Sequence, residues 1–158
     1  VMRRKISEDI YFMRLALEEA SLAFAQGEVP VGVVLVKDGN VIAKAHNQRE
    51  TSKDPTGHAE ILALRYGLNE SDSWRLTDAT LYVTKEPCIM CAGAMINARL
   101  SRLVYGCRDE KGGAVDSLYR LLSDKRLNHQ VEVVSGILEE ECTEILQRFF
   151  KSRRKMVK

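Results

Sequence analysis

Residues 81–105, LYVTKEPCIMCAGAMINARLSRLVY, decide the fold of this chain. Leu81-Tyr82-Val83 is a short apolar run typical of a buried strand, and Pro87 introduces a helix that ends near Asn97. Leu103-Val104-Tyr105 is a second apolar run. A strand–helix–strand unit of this kind predicts two parallel strands joined by a right-handed crossover.

A helix and a hairpin are predicted before this unit. Ser7, which precedes two acidic residues, indicates a helix N-cap; apolar residues recur at helical spacing up to Phe24, and Gly27 indicates the helix end. Residues 31–36 and 41–45 are apolar runs on either side of an Asp-Gly-Asn turn, which predicts two antiparallel strands.

Three further elements complete the predicted architecture. A helix is expected from about His58 to Leu68, a strand over 131–134, and a basic C-terminal helix over about 139–155. The fold class is therefore α/β: a three-layer α/β/α sandwich around a mixed, mostly parallel five-stranded sheet. Helices should cover both faces, because a sheet with parallel strands is usually buried on both sides.

Length and composition limit the classes of protein to consider. The chain has 158 residues, of which 45% are hydrophobic and 29% charged, so we expect a single folded domain spanning 1–158 and no intrinsic disorder. No apolar run approaches the roughly 20 residues that span a bilayer, and no apolar segment typical of a signal peptide follows the first basic residues. The expected compartment is the cytoplasm.

Basic residues are concentrated at the two ends of the chain. Residues 1–5 carry three and residues 151–158 carry five, with no acid in either stretch, so the middle of the chain is net acidic. An acidic body with basic ends indicates a localised contact with a polyanion, although charged termini are often merely solvated.

One histidine and two cysteines have the composition of a zinc site. Cys88 and Cys91 form a C-x-x-C pair at a predicted helix start, where residues three apart lie on one face. His58 opens another predicted helix and offers a nitrogen ligand. Catalytic zinc sites use three protein ligands and leave the fourth position to water, whose pKa falls to about 7, whereas structural sites use four.

Glu60 is the predicted catalytic carboxylate. Residues two apart in a helix point in different directions, so we expect His58 at the mouth of the helix and Glu60 inside it, facing the site without binding the metal. Such a carboxylate can take a proton from water and return it to a leaving amine. Taken singly, these features have simpler explanations, because a C-x-x-C pair also occurs in redox pairs and structural zinc sites and a helix glutamate is often solvated.

The two motifs together, His58-Ala59-Glu60 and Pro87-Cys88-Ile89-Met90-Cys91, resemble the signature of zinc-dependent nucleobase deaminases. Resemblance to the bacterial tRNA-specific adenosine deaminases extends from residue 8 to about 155, in the segments 27–32, 46–47, 54–60, 81–84, 86–88, 91–95, 127–129 and 149–154. It implies a cytidine deaminase-like fold, a homodimer with one zinc ion per subunit held by His58, Cys88 and Cys91, and conversion of the wobble adenosine of a tRNA anticodon to inosine. Glu60 would shuttle the protons.

The resemblance also implies which residues bind the substrate. Asn47 matches the position whose side-chain amide contacts the flipped purine, and Asp109 matches an acidic residue that contacts the backbone beside the target nucleotide. Further residues expected at the substrate or the anticodon loop are Ala59, Pro87, Asn128, Phe150, Arg153 and Arg154. At least one of Phe149 and Phe150 is expected in the core.

Two positions depart from the family pattern, and two histidines within it are not expected to bind metal. Lys85 stands where an apolar residue commonly precedes the Glu-Pro-Cys motif, and we expect no catalytic consequence. Cys107 stands at a position that is often alanine. His46 and His129 are not expected to be metal ligands, because three ligands and water complete the shell.

The sequence is compatible with two other functions. The same chemistry could act on a free base or nucleotide such as guanine or cytidine, although a small substrate does not need a basic C-terminal helix. A non-catalytic zinc module that binds RNA would need a fourth protein ligand, for which Cys107 and Cys142 are the candidates; otherwise both are expected to be buried apolar residues.

Overall fold

The computed structural model describes residues 2–69 and 73–156. The helices are α1 (Met2–Ala25), α2 (Ala59–Leu68), α3 (Ile89–Asn97) and α4 (Glu139–Met156). The strands are β1 (Gly32–Lys37), β2 (Asn40–His46), β3 (Ala79–Lys85), β4 (Arg102–Cys107) and β5 (Glu132–Val134), with one 3-10 turn at Leu121–Ser123. Within the described ranges, no helix combines the length and the apolar character needed to cross a membrane.

The five strands form one mixed sheet in the order β2-β1-β3-β4-β5. Strand β1 is antiparallel to both of its neighbours, whereas β3, β4 and β5 run parallel to one another. Four of the five strands therefore point the same way. This confirms the predicted hairpin and the parallel pairing of the two strands in the segment 81–105.

Alternating side chains of the strands build two separate apolar layers. Val34, Tyr82 and Val104 face a core shared with α1 and α4, whereas Leu81 and Leu103 face a core shared with α2 and α3. Successive residues of a strand point to opposite faces, so adjacent positions enter different cores. The α/β/α sandwich is confirmed, and the metal-binding motifs belong to the α2 and α3 side.

A buried ion pair joins α1 to strand β4. Arg102 Nη1 and Nη2 donate to the two carboxylate oxygens of Asp9 at 2.8 and 2.7 Å, and the Tyr82 hydroxyl donates to Asp9 at 2.8 Å. All three residues are buried. The pair lies on the α1 face of the sheet, away from the metal-binding motifs.

Two helix starts differ from the sequence prediction. The prediction of an N-cap at Ser7 is wrong: α1 begins at Met2, and the Ser7 hydroxyl donates back to the Arg3 carbonyl at 2.9 Å, as serine can do inside a helix. Pro87 is not in the first turn of α3 but precedes its N-cap, which is Cys88.

Candidate active site

Two helix N-termini meet at the carboxyl ends of β3 and β4. Strand β3 ends at Lys85 and leads into the start of α3, and Cys88 is the N-cap of that helix. His58 is the N-cap of α2 and has extended backbone torsions, φ −75° and ψ 148°. The expected place of His58 at the helix mouth is confirmed. The site lies at the edge of the sheet where α/β proteins usually bind ligands.

His58, Cys88 and Cys91 bring their ligand atoms together. His58 Nδ1 lies 3.6 Å from Cys88 Sγ and 3.5 Å from Cys91 Sγ, and all three ligand atoms lie within 4.8 Å of one another. Among the described residues, no further histidine, cysteine or carboxylate joins this group. The cluster could therefore hold a metal ion with three protein ligands.

The separations are compatible with a zinc ion. Zinc–sulfur and zinc–nitrogen bonds of about 2.3 and 2.05 Å at a tetrahedral angle place the sulfur and nitrogen atoms about 3.6 Å apart. The distances of 3.6 and 3.5 Å from His58 Nδ1 to the two sulfurs agree with that value. Imidazole nitrogen and thiolate sulfur are also the ligand types that zinc prefers.

The cluster favours a thiolate at Cys88. The hydrogen bond from Cys91 lowers the pKa of Cys88 to about 4 against the opposing effect of burial, and the hydrogen bond from His58 lowers it further. The same contacts raise the pKa of His58 and of Cys91. The contacts within the cluster therefore favour the deprotonated sulfur that metal binding requires.

Glu60 lies beside the cluster as an almost fully buried carboxyl group. It is 4% exposed and belongs to the first turn of α2, two residues after His58. Burial, and then the negative charge of Cys88, raises the pKa of Glu60. A carboxyl group with a raised pKa next to a metal site is suited to accept and release protons.

A cavity of about 310 Å³ opens onto this group, a size at the lower end for pockets that bind one small ligand. His58, Glu60 and Cys88 line it, together with four of the residues expected at the substrate, namely Asn47, Ala59, Asp109 and Phe150. Phe150 is 45% exposed, whereas Phe149 is buried, so the expectation that at least one of these two aromatic residues lies in the core is confirmed.

Four other expected substrate residues do not line this cavity. Pro87 is buried and its carbonyl accepts the Ala114 N–H at 2.9 Å. Asn128 and Arg154 are exposed but are not among the residues that line the cavity. Arg153 is exposed too, but it donates to the Gly27 carbonyl and lies 5.0 Å from the Phe149 ring. Arg153 therefore connects α4 to the segment before β1.

Three charged residues that line the cavity were not predicted from the sequence to be functional. Arg49 follows Asn47 closely, Lys85 is the last residue of β3, and Glu86 comes directly after it. Lys85 Nζ lies 3.2 Å from Asp109 Oδ2 and forms an ion pair with it. The departure from the family pattern at Lys85 was the available signal, and it places a cation beside an expected substrate-binding residue.

The remaining cysteines and histidines are engaged away from the cluster. Cys107 and Cys142 are buried in the core shared with α1 and α4, on the opposite face of the sheet from α3. The Cys107 thiol donates to the Thr84 carbonyl at 3.5 Å. His46 bonds to Glu19 and Gln26, and His129 to the Leu100 carbonyl. Neither cysteine can supply the fourth ligand that a structural zinc module requires.

Sequence comparison identifies deaminases over nearly the whole chain. Residues 6–154 match the model of the MafB19-like deaminase family. The tRNA-specific adenosine deaminase of Bacillus subtilis is 48% identical over 153 residues, which cover 97% of this chain and 95% of that one. The tRNA-specific adenosine deaminase of Haemophilus influenzae is 50% identical over 147 residues, with coverage of 92% and 85%.

Solved structures lead to the same group. One from a study of A-to-I editing by tRNA:A34 deaminases at the wobble position of transfer RNA is 48% identical, has a TM-score of 0.83, and covers 86% of this chain and 99% of that one. A guanine deaminase from Nitrosomonas europaea is 22% identical with a TM-score of 0.77, covering 89% and 83%. At this low identity, the similarity to the guanine deaminase shows a shared fold only.

Proposed function

Because this chain belongs to the family of tRNA-specific adenosine deaminases, we propose that it converts adenosine to inosine at the wobble position of a tRNA anticodon by hydrolysis. The observation that carries the proposal is the grouping of His58, Cys88 and Cys91 beside the buried Glu60 at a single cavity. The reaction replaces the amino group on carbon 6 of adenine with oxygen from water and releases ammonia.

His58, Cys88 and Cys91 hold one zinc ion per subunit. A zinc ion in a three-ligand site lowers the pKa of water to about 7 and so supplies hydroxide at neutral pH. Glu60 accepts one proton from the attacking water and gives it to N1 of adenine, where it stays in inosine. It then transfers the second proton of that water, from the hydroxyl on carbon 6, to the amino group, which leaves as ammonia. Its burial raises its pKa, which brings it closer to the range in which a group can both take and give a proton.

The cavity accommodates one base, which therefore has to leave its stack. A base in an anticodon loop is cheaper to extrude than one in a duplex, because less stacking and pairing is lost. The Asn47 amide contacts the purine, and Ala59 contacts the base from the start of α2, whereas the buried Pro87 shapes the turn that leads to Cys88. Asp109 contacts the backbone beside the target nucleotide, with Lys85 as its counter-ion.

The surface beside the cavity binds the rest of the anticodon loop. Phe150 is half exposed at the cavity edge, where an aromatic ring can stack on a neighbouring base. Arg153, Arg154 and Lys155 lie in the last turns of α4, and Asn128 lies in the loop before β5. Basic side chains near the pocket follow the phosphates.

Comparison of substrates tests the proposal. The zinc-loaded protein should form inosine in an anticodon stem-loop, and should turn over free adenosine, guanine and cytidine with kcat/KM lower by at least about 10²-fold, since small substrates lack the remote contacts that position the base. Faster turnover of a free base than of the stem-loop would assign the chain to small-molecule deamination instead.

The basic end of α4 should contribute directly to the salt dependence of RNA binding. Arg154 and Lys155 are exposed, so replacing both by alanine should reduce the slope of log Kd against log salt by about 0.7 per lost phosphate contact. The matched control replaces Lys37 and Lys44, two exposed lysines of the β1–β2 hairpin, by alanine. An equal reduction in slope for both variants would show that α4 makes no local contact with RNA.

The protein works in the cytoplasm, where tRNA is available. It forms a homodimer through the α3 side of the molecule. Ile89, on α3, is 58% exposed. Leu118 and Tyr119, shortly before the 3-10 turn that packs against α3, are 53% and 55% exposed. Exposed apolar surface of this kind is typical of a contact with another protein chain. Leu118→Asp should shift the mass measured by light scattering from dimer to monomer, whereas Leu22→Asp on α1 should not.

A further inference from the structure

Two buried carboxylates have no role in the chemistry described above. Glu28 is 0% and Glu86 2% exposed. Among the described residues, neither pairs with a cation within 4.0 Å. Burying an ionised carboxylate is costly unless hydrogen bonds compensate it. The groups that supply those bonds therefore indicate what each carboxylate does.

Glu28 accepts backbone N–H groups from the loop that follows β2. Its Oε1 accepts the Glu50 N–H at 3.1 Å, and its Oε2 accepts the Thr51 N–H at 2.6 Å. We call residues 47–57 the first cavity loop. It has no regular secondary structure and carries Asn47 and Arg49 into the cavity wall.

Glu86 does the same for the loop that follows β4. Its Oε1 accepts the Asp109 N–H at 3.0 Å and the Ser117 hydroxyl. Its Oε2 accepts the N–H groups of Val115, Asp116 and Ser117 at 3.1, 2.8 and 2.9 Å. We call residues 108–117 the second cavity loop; it is also irregular and carries Asp109 into the cavity wall.

Gly113 packs directly against the carboxyl group of Glu86. A Cβ atom at Gly113 would lie 2.3 to 2.5 Å from the carboxyl atoms of Glu86, so only glycine lets the second cavity loop approach this closely. The carboxylate and the loop are thus fitted to each other by sterics as well as by hydrogen bonds.

We propose that Glu28 and Glu86 are positioning residues, each of which holds one of the two loops that bring Asn47 and Asp109 to the substrate. The inference rests on the proposed function, because it assumes that those two side chains contact the target nucleotide. A carboxylate suits the task because it only accepts hydrogen bonds, whereas a glutamine at the same place would turn an NH₂ group toward N–H donors.

Crossed double-mutant cycles test the proposal with a stem-loop substrate. Glu28→Gln and Glu86→Gln should each lower kcat/KM by about 10- to 100-fold, because each releases a loop that holds a substrate-binding side chain, and a misplacement of about 1 Å can cost about 10²-fold. The loss should appear mainly in KM, because Asn47 and Asp109 bind the substrate and do not react. Glu28→Gln should cost less than about 3-fold in an Asn47→Ala background but its full factor in an Asp109→Ala background, since only residues in one unit couple. Glu86→Gln should behave in the opposite way.

General loss of stability would not produce this crossed pattern. Asp9→Asn serves as the matched control, because Asp9 is also a buried carboxylate but binds side chains on the α1 face. It should lower Tm and leave kcat/KM of the folded protein within about 3-fold, with the same factor in both backgrounds. Equal factors for Glu28→Gln or Glu86→Gln in both backgrounds would overturn the proposal.

Amide hydrogen exchange in the unmodified protein tests the same claim without a substrate. The amides of Glu50, Thr51, Asp116 and Ser117 should be protected although they lie outside helices and strands. Exchange at the rate of an unstructured chain would overturn the proposal. Because this measurement needs no variant, it decides the question even if the Gln variants fail to fold. If the unmodified protein leaves the stem-loop unchanged, the proposed function fails, and this measurement alone decides the role of the two carboxylates.

Discussion

Glu60→Gln should lower kcat on an anticodon stem-loop by about 10²- to 10⁴-fold, the usual contribution of one general acid–base group. The amide keeps the shape of the side chain in its buried place but can neither accept nor return a proton. Because Glu60 does not belong to the metal-binding group, zinc content and RNA affinity should stay at the level of the unmodified protein.

The control for this variant is Glu140→Gln, an exposed glutamate in the first turn of α4, which should leave kcat unchanged. Zinc content is read by atomic absorption and RNA affinity by a binding titration at fixed salt. Full turnover by Glu60→Gln would remove this residue from proton transfer. Loss of zinc in the same variant would make it a ligand instead.

Removing the metal should abolish activity, and only two of the four cysteines should matter for it. Cys88→Ala and Cys91→Ala should bind less than one zinc ion per subunit and fall to background turnover, because each removes one of the three ligands of the site. Chelation of the unmodified protein should have the same effect, and added zinc should restore turnover.

Cys107 and Cys142 provide the matched controls, since both are buried on the other face of the sheet. Cys107→Ala and Cys142→Ala should keep one zinc ion and full turnover, and should lose stability on the order of 1 kcal/mol, as is usual for a single core substitution. If either variant lost its zinc, the site would have a fourth protein ligand and no position for water.

The metal centre could be predicted from sequence because its signals are local. Each ligand lies at the start of a helix that apolar periodicity and proline already indicate, and Cys88 and Cys91 are close in the chain. The parallel pairing of β3 and β4 was predicted from residues 81–105, which also contain both cysteines. The error at Ser7 has a local cause too, since serine can cap a helix or bond back within it.

The walls of the cavity could not be predicted in this way. Glu86 was visible as a charged residue at the end of an apolar strand, but its donors lie 23 to 31 residues away in an irregular loop. Glu28 binds a loop 22 and 23 residues away. Contacts of this kind have no period in the sequence, so only the fold reveals them. The ion pair between Lys85 and Asp109 is another example.

In the proposed reaction, water activated at a site with three protein ligands replaces the amino group of a tRNA adenosine. Incubation of the zinc-loaded protein with an anticodon stem-loop in oxygen-18-enriched water, followed by mass spectrometry of the nucleosides, measures this directly. Inosine at the wobble position should carry the heavy oxygen, with release of an equal amount of ammonia. Unchanged adenosine, or inosine without the label, would contradict the account.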